Sequence, residues 1–516
     1  MMTVLLELFQ AMRALLVSAL SPRPSARRNI VVLLVALIAI PVWQRGFLAP
    51  ESKIPATHTV RASTGIHGEP RFFFFLYHLG LIPLKSTAPL LADTKEEALR
   101  HIREHGKGLV VDEGVTFGSG DRGRVYLYFV DAWLNHRSIE PKLLYANSIG
   151  FGLSLCALFT GFWWIRKPWM GAIAVVLLGS NPFQLYITYR QENVFGWAIT
   201  TALFMMAMHL PLMTSRAIKA RWVWYMPVVA GLVLSMARTV RSEGSLMAVS
   251  VILVYMTLAG ATWKKRAALS AIFVVTLTVA GFGYVKHFER KFQQSHSLMV
   301  KAGGTPYTGP LQIYHEIWHP IFCGLGDYDT KYGYKWDDRV GYAYAYPILT
   351  GKYGLKLPHW QPDWYTFNAT YDDNHTYPIF FGQTPHYNDV IRDKVLGDIK
   401  RDPKWYFEII KKRIWRVLTE TSPLSVYTSV KEEPYTTSSP LMGLLCVPLA
   451  LFLALARRWT HLKILIFTLP LTAPALIIFS DKGMTFYSTF HYFGFAILCS
   501  VLAAGARSWL RKPADL

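Results

Sequence analysis

A chain of 516 residues with 52% hydrophobic and only 17% charged residues, at a mean hydropathy of +0.24, is too apolar for an ordinary soluble protein, since those average about 25% charged. The same composition, with 17 Trp, 27 Tyr and 30 Phe, excludes disordered and collagen-like architectures. A formal net charge of +21 invites a nucleic-acid reading, and the position of that charge along the chain removes it.

Apolar runs of bilayer length fall near 29–48, 143–165, 169–188, 194–214, 223–240, 245–262, 267–285, 438–456, 464–480 and 486–506. They predict an all-α polytopic membrane protein of about ten transmembrane helices, with two long extracytoplasmic segments, 49–140 and 286–437. Those segments are nearly neutral, with 11 basic against 11 acidic residues in the first and 19 against 17 in the second. The remaining 24 basic residues face 5 acidic ones. They cluster at alternate ends of the spans: Arg23, Arg27 and Arg28; Arg166 and Lys167; Arg216, Lys219 and Arg221; Lys264, Lys265 and Arg266; Arg457, Arg458 and Lys463; Arg507, Arg511 and Lys512. The positive-inside bias then puts these turns and both termini in the cytoplasm and both long segments outside. Lipid is therefore the expected surroundings, and no nucleic acid is expected as a partner.

The chain divides accordingly. Residues 1–28 are apolar but broken by Glu7, Gln10 and Arg13, and read as an amphipathic helix on the inner membrane face. Residues 29–48 form the first span, 143–285 spans two to seven, 438–506 spans eight to ten, and 507–516 a cytoplasmic tail. In 49–140, the run RFFFFLYHLGLIPL at 71–84 is too short to cross and suits the interface. Asp93 and Glu96 form a capping box opening a helix over 94–105, and a glycine-rich turn leads to a helix-like VYLYFVDAWL at 125–134. The segment is expected to pack on the spans. In 286–437, a composition dense in Tyr, Trp, Gly, Pro and His suggests irregular, ring-lined loops up to about residue 388. Asp402-Pro403 then supplies an N-cap and first position for WYFEIIKKRIWRVL, a basic amphipathic helix expected on the outer membrane surface.

Several short patterns suggest chemistry. HEIWH at 315–319 matches a zinc-protease spacing. Pro320 follows at once and disfavours helical geometry at His319, so His315 and His319 are taken as pocket residues, with Trp318 between them. GDYDTKYGYKWDD at 326–338 places Asp327 and Asp329 like part of a calcium loop but lacks its distal carboxylate; solvated turn carboxylates are the default there. Asp112 and Glu113, following the apolar Leu109-Val110-Val111, would be partly desolvated, which raises a carboxylate's pKa and can poise a general base. The plain alternative is a cap or a turn. The short outer turns carry opposite charges, Arg190 with Glu192, Arg241 with Glu243 and Asp481 with Lys482, and Arg238 lies one turn deeper in its span. Arginines there can grip a phosphate bidentately, or snorkel and pair locally. Of the cysteines, Cys156, Cys446 and Cys499 lie in apolar runs and only Cys323 in a polar segment, so no disulfide framework is expected there.

With VVDEGVTF at 110–117, the YRQEN turn at 189–193 and the DPKWYFEIIKKRIWRVL approach at 402–418, the layout resembles the GT-C superfamily of integral-membrane glycosyltransferases, of the protein-mannosyltransferase and aminoarabinose-transferase type. The resemblance implies a polyprenyl-phosphate-linked sugar as donor and an envelope glycan, lipid or protein as acceptor, at the outer face of a bacterial inner membrane. It implies Asp112 and Glu113 as the catalytic pair and Arg190, Arg238 and Arg241 as donor-phosphate contacts. His315, His319, Trp318 and Asp327 become substrate contacts. No cofactor is expected and no metal ligand is assigned, a divalent ion at the substrate site being the open alternative. An O-antigen polymerase or ligase is the nearest competing reading. A transporter would require paired repeats and broken helices, and a membrane metalloprotease rests on HEIWH alone.

Overall fold

The computed structural model describes residues 144–179, 196–214, 220–301, 317–327, 329–357, 366–372, 375–421, 440–478 and 484–510, with isolated positions between 123 and 130. The N-terminal helix, the first span, the 71–84 run, the capping-box helix, Asp112, Glu113, Arg190 and His315 lie outside the described residues.

Membrane-type helices come first. α1 (Leu144–Trp164), α2 (Pro168–Gly179), α3 (Gly196–Met213), α4 (Ala220–Val240), α5 (Met247–Met256, entered through a 3-10 turn at Ser242–Leu246) and α6 (Trp263–Lys301) are the first helices of the described residues. α7 (Trp318–Leu325), α8 (Asp338–Gly351), the strands β1 (Thr366–Asp372) and β2 (His375–Phe380), α9 (Tyr387–Arg401) and α10 (Pro403–Thr419) follow. α11 (Pro440–Leu455), α12 (Trp459–Thr468), α13 (Ala473–Ile477) and α14 (Met484–Leu510) close the chain. Six stretches among the described residues are long and apolar enough to cross a membrane, and three shorter apolar helices accompany them. The polytopic, helical expectation therefore holds in outline.

The helices pack as small residues allow. In lipid there is little hydrophobic drive between helices, so close backbone approach and interhelical hydrogen bonds take over. Gly231 of α4 meets α6, where an added Cβ would stand 2.8 Å from Thr276 Cβ and 3.0 Å from the Leu277 nitrogen. Ser235 donates to the Leu277 carbonyl at 2.6 Å along the same seam, and Ser250 of α5 donates to the Phe467 carbonyl of α12 at 2.6 Å. One continuous core links α1 to α6 with α11, α12 and α14, including Phe151, Phe162, Leu210, Tyr255, Phe273 and Phe493.

The basic turns converge. Lys167 after α1 is 3.1 Å from His461 Nε2 of α12, and Lys463 of α12 donates to the Thr257 carbonyl after α5 at 2.5 Å. These turns share one end of the bundle. At the other end, the Gly123 nitrogen donates to the Thr239 carbonyl at 2.9 Å, and Tyr126 Oη hydrogen-bonds His287 Nε2 of α6. The glycine turn of the first long segment thus docks on the opposite ends of α4 and α6.

The described residues between 317 and 388 correct the expectation of irregular loops there, and the hairpin amends the all-α expectation. β1 and β2 pair antiparallel, from Thr366 opposite Phe380 to Asp372 opposite His375, with an irregularity between Thr370 and Asp372. α8 forms because Asp337 caps it, accepting from the Arg339 nitrogen at 3.1 Å, while Gly341, Tyr342, Ala345 and Leu349 make a buried helical stripe. Its alternating tyrosines obscured that stripe. α9 buries Tyr387, Val390, Ile391, Val395 and Asp398 at helical spacing. α10 starts as its sequence predicts, with Asp402 accepting from the Trp405 nitrogen at 3.1 Å and Pro403 in the first turn.

α10 is two-faced. Phe407, Ile414 and Trp415 are exposed, as suits an interfacial helix, and Trp405, Ile409, Arg413 and Val417 are buried on the other side. Arg413 is only 1% exposed. Its guanidinium donates to the carbonyls of Leu476 at 3.0 Å and Ile477 at 2.9 Å, and to that of Gly324. A single cation thus satisfies the C-terminal carbonyls of α7 and α13, where a helix end carries partial negative charge. Gly324 is required at this junction, because any Cβ would strike the Ile478 carbonyl.

Candidate functional site

Among the described residues, a His–Cys–Asp cluster lies where α7, α8 and α9 meet. His319 and Cys323 are one helical turn apart on α7, so their side chains lie over one another. Pro320 is tolerated between them because it occupies the first turn, where no intrahelical N–H bond is lost; His319 is helical, against the sequence expectation. Asp337 and Asp338 divide two tasks. Asp337 caps α8 and pairs with Arg339 at 2.8 Å, which holds its carboxyl below the usual carboxylate range. Asp338 turns to the site, with Oδ1 3.1 Å from His319 Nε2.

Cys323 Sγ lies 3.7 Å from His319 Nε2 and 3.7 Å from Asp338 Oδ1. On its far side the imidazole is fixed twice. Nδ1 is 2.5 Å from Tyr387 Oη, and the ring stacks on Tyr342 at 5.2 Å and 13°. Tyr387 is buried, and that burial pushes its hydroxyl well above its usual pKa, so it stays protonated. Cys323 is buried, His319 half-buried and Asp338 half-exposed, so the cluster opens to solvent on its carboxylate side.

Beside it runs a second network that holds the layer together. Buried Asp398 accepts from Tyr334 at 2.9 Å, Lys394 at 2.9 Å and Arg401 at 2.7 Å. Lys394 also sits over the rings of Tyr334 and Tyr344. Asp402 accepts from Lys331 at 2.6 Å and Tyr332 at 3.0 Å, and the Lys331 bond leads the causes that draw its pKa down to about 2. Asp329 does not present itself as a calcium ligand. One oxygen accepts from the Lys331 nitrogen at 2.7 Å and the other from the Trp405 indole at 3.1 Å.

The sequence-derived candidates separate into groups. Trp318 and His319 open α7 together, whereas the carboxylate beside His319 comes from Asp338 and not from Asp327, which sits in the turn after α7. Arg241 is buried at the end of α4 and committed to Glu243 at 2.5 Å. Arg238 is exposed one turn earlier. Asp112, Glu113, Arg190 and His315 lie outside the described residues. Cys323, Asp338, Tyr342 and Tyr387 were missed. The H-x-x-x-C spacing on α7 was the available signal, hidden by the more familiar HEIWH beside it.

No protein-family model matches the sequence, and no curated protein matches it. Among solved structures, the chain is similar to the archaeal oligosaccharyltransferase AglB from Archaeoglobus fulgidus, in complex with an inhibitory peptide and a dolichol-phosphate. The TM-score is 0.43 at 11% identity, over 95% of this chain and 52% of that one. The chain therefore spans about half the length of that structure, and a likeness at this level does not carry the functional reading below.

Proposed function

We propose that this chain is a membrane glycosyltransferase that moves a sugar from a polyprenyl-phosphate donor to an envelope acceptor at the outer face of a bacterial inner membrane. One observation supports the reading most directly. The glycine turn that follows the acidic pair docks through Gly123 on Thr239, two residues before Arg241. Gly123 and the arginine-bearing end of α4 therefore meet at one corner, opposite the basic turns, and the proposal brings Asp112 and Glu113, upstream of that turn, to the same corner. With the positive-inside rule that corner is extracytoplasmic.

In this proposal the acceptor oxygen attacks the anomeric carbon while Asp112, aided by Glu113, takes its proton. The bond from that carbon to the phosphate oxygen breaks, and the polyprenyl phosphate leaves with the electron pair. Arg190 and Arg238 stabilise the growing phosphate charge. Arg241, already neutralised by Glu243, shapes the corner and contributes less charge. The layer of α7 to α9 covers the sugar, with Trp318, His319, His315 and Asp327 as candidate contacts.

The test is transfer by purified protein in lipid, with radiolabelled polyprenyl-phosphate sugars as donors and total envelope lipid as acceptor. Label is expected in acceptor with wild type and, at equal expression, to fall at least ~100-fold with Asp112→Asn. Full activity of that variant would sink the base assignment. Transfer only from lipid-linked oligosaccharides would favour the polymerase or ligase reading.

A further inference from the structure

We propose that His319, Cys323 and Asp338 form a site for a borderline-soft divalent cation, Zn²⁺ first, on the outer face of the protein. The reading rests on the cluster alone and holds whether or not the chain transfers sugars.

The geometry comes first. Three different donor atoms, Nε2, Sγ and Oδ1, all lie within 4.8 Å of one another. Their separations are 3.1, 3.7 and 3.7 Å. A tetrahedral zinc with bonds of about 2.0 Å to nitrogen or oxygen and about 2.3 Å to sulfur spaces its ligand atoms about 3.3–3.6 Å apart. The three atoms therefore already outline one face of such a tetrahedron, and shifts of a few tenths of an ångström complete it.

Chemistry selects the ion. A thiolate and an imidazole are poor ligands for Mg²⁺ or Ca²⁺, which take oxygen, and good ones for Zn²⁺. The second shell fits as well. A ligating histidine usually donates its other N–H to a fixed acceptor. Tyr387 Oη stands 2.5 Å from Nδ1 and can accept the hydrogen bond from Nδ1–H, leaving the Nε2 lone pair directed at Cys323 and Asp338. Tyr342 stacks on the ring and sets its plane. Asp337 does the capping, and Asp338 presents Oδ1 to His319 and Cys323.

Three protein ligands and a solvent-open side are what a site with an exchangeable fourth position requires. Cys323 is buried and Asp338 half-exposed, so the fourth position faces the solvent side, where water or a substrate oxygen would bind. Bound metal would also tie α7 to α8.

The experiment uses the full-length protein in lipid, stripped of metal and titrated with Co²⁺, whose thiolate charge-transfer and visible bands report sulfur ligation and tetrahedral geometry. Wild type is expected to show both bands with about one equivalent of Co²⁺, displaced by Zn²⁺. Cys323→Ala should lose the charge-transfer band, and Asp338→Asn should keep it while weakening Zn²⁺ at least tenfold. The thermal midpoint should rise with Zn²⁺ in wild type and not in Cys323→Ala. Asp338→Asn changes a half-exposed residue and guards against a folding defect in the cysteine variant. A wild-type spectrum identical to that of Cys323→Ala, with no Zn²⁺-dependent stabilisation, would overturn the proposal and leave a Tyr387–His319–Asp338 hydrogen-bonded chain. Sugar transfer unaffected by zinc removal would not touch the metal site, so the two readings fail separately.

Discussion

The membrane bundle and the layer of α7 to α10 bury polar groups in different ways. In the bundle hydroxyls bond backbone carbonyls, as with Ser154, Thr160 and Thr257 on the turn before them; Ser235 and Ser250 reach across to another helix. Each is a short, local satisfaction of a small group. The layer of α7 to α10 instead ties the buried Asp398 carboxylate to Tyr334, Lys394 and Arg401, and its buried Arg413 guanidinium to carbonyls of α7 and α13. Water beside the layer makes such charges affordable, whereas at bilayer depth an unpaired one is costly. The cluster of His319, Cys323 and Asp338 lies in that same charge-bearing layer.

The largest effect should come from cutting the link between the two regions. Arg413→Met removes the donors to the Leu476, Ile477 and Gly324 carbonyls and should cost ~3 kcal/mol or more. It should appear as a lower thermal midpoint and faster proteolysis within 317–421. An unchanged midpoint would mean that the layer does not depend on this anchor. Inside the layer, Tyr334→Phe deprives buried Asp398 of one donor and should cost ~1–2 kcal/mol. In the bundle, Ser250→Ala breaks the bond to Phe467 and should cost only ~0.6 kcal/mol by denaturant titration, the typical value between membrane helices. If Ser250→Ala proved costlier than Tyr334→Phe, the contrast between the regions would collapse.

The smallest effect concerns acid. Asp402 has its pKa drawn down to about 2, chiefly by the Lys331 bond, below the ~3.9 of an unfolded aspartate. Its ion pair therefore stabilises the fold above about pH 4, and that contribution fades as pH falls through about 2. Asp402→Asn keeps an N-capping side chain and removes the charge. Its stability difference from wild type should be constant above pH 4 and close towards pH 2. A difference that persisted at pH 2 would assign the effect to the cap.

Much of this was legible in the residues themselves. Apolar runs of bilayer length mark membrane helices because lipid demands it of any sequence, and Asp402-Pro403 announces α10 because capping is local. α8 and α9 were not legible. Their buried stripes include Tyr342 and Tyr387, rings with a polar tip that suit core or surface, and Asp398, which is buried because Tyr334, Lys394 and Arg401 meet it. Arg413 looked like one more surface cation on a basic helix. Only the carbonyls of α7 and α13, distant in the chain, turn it into an anchor.

The sequence by itself determined the membrane character, the alternation of basic turns and the two near-neutral long segments, since each follows from local composition against a fixed external solvent. Tertiary structure decided that the His319–Cys323 pair of α7 faces Asp338 rather than Asp327, and that Arg413 meets the carbonyls of Gly324, Leu476 and Ile477. Those outcomes depend on which helices meet and at what angle, and no spacing along the chain carries that information.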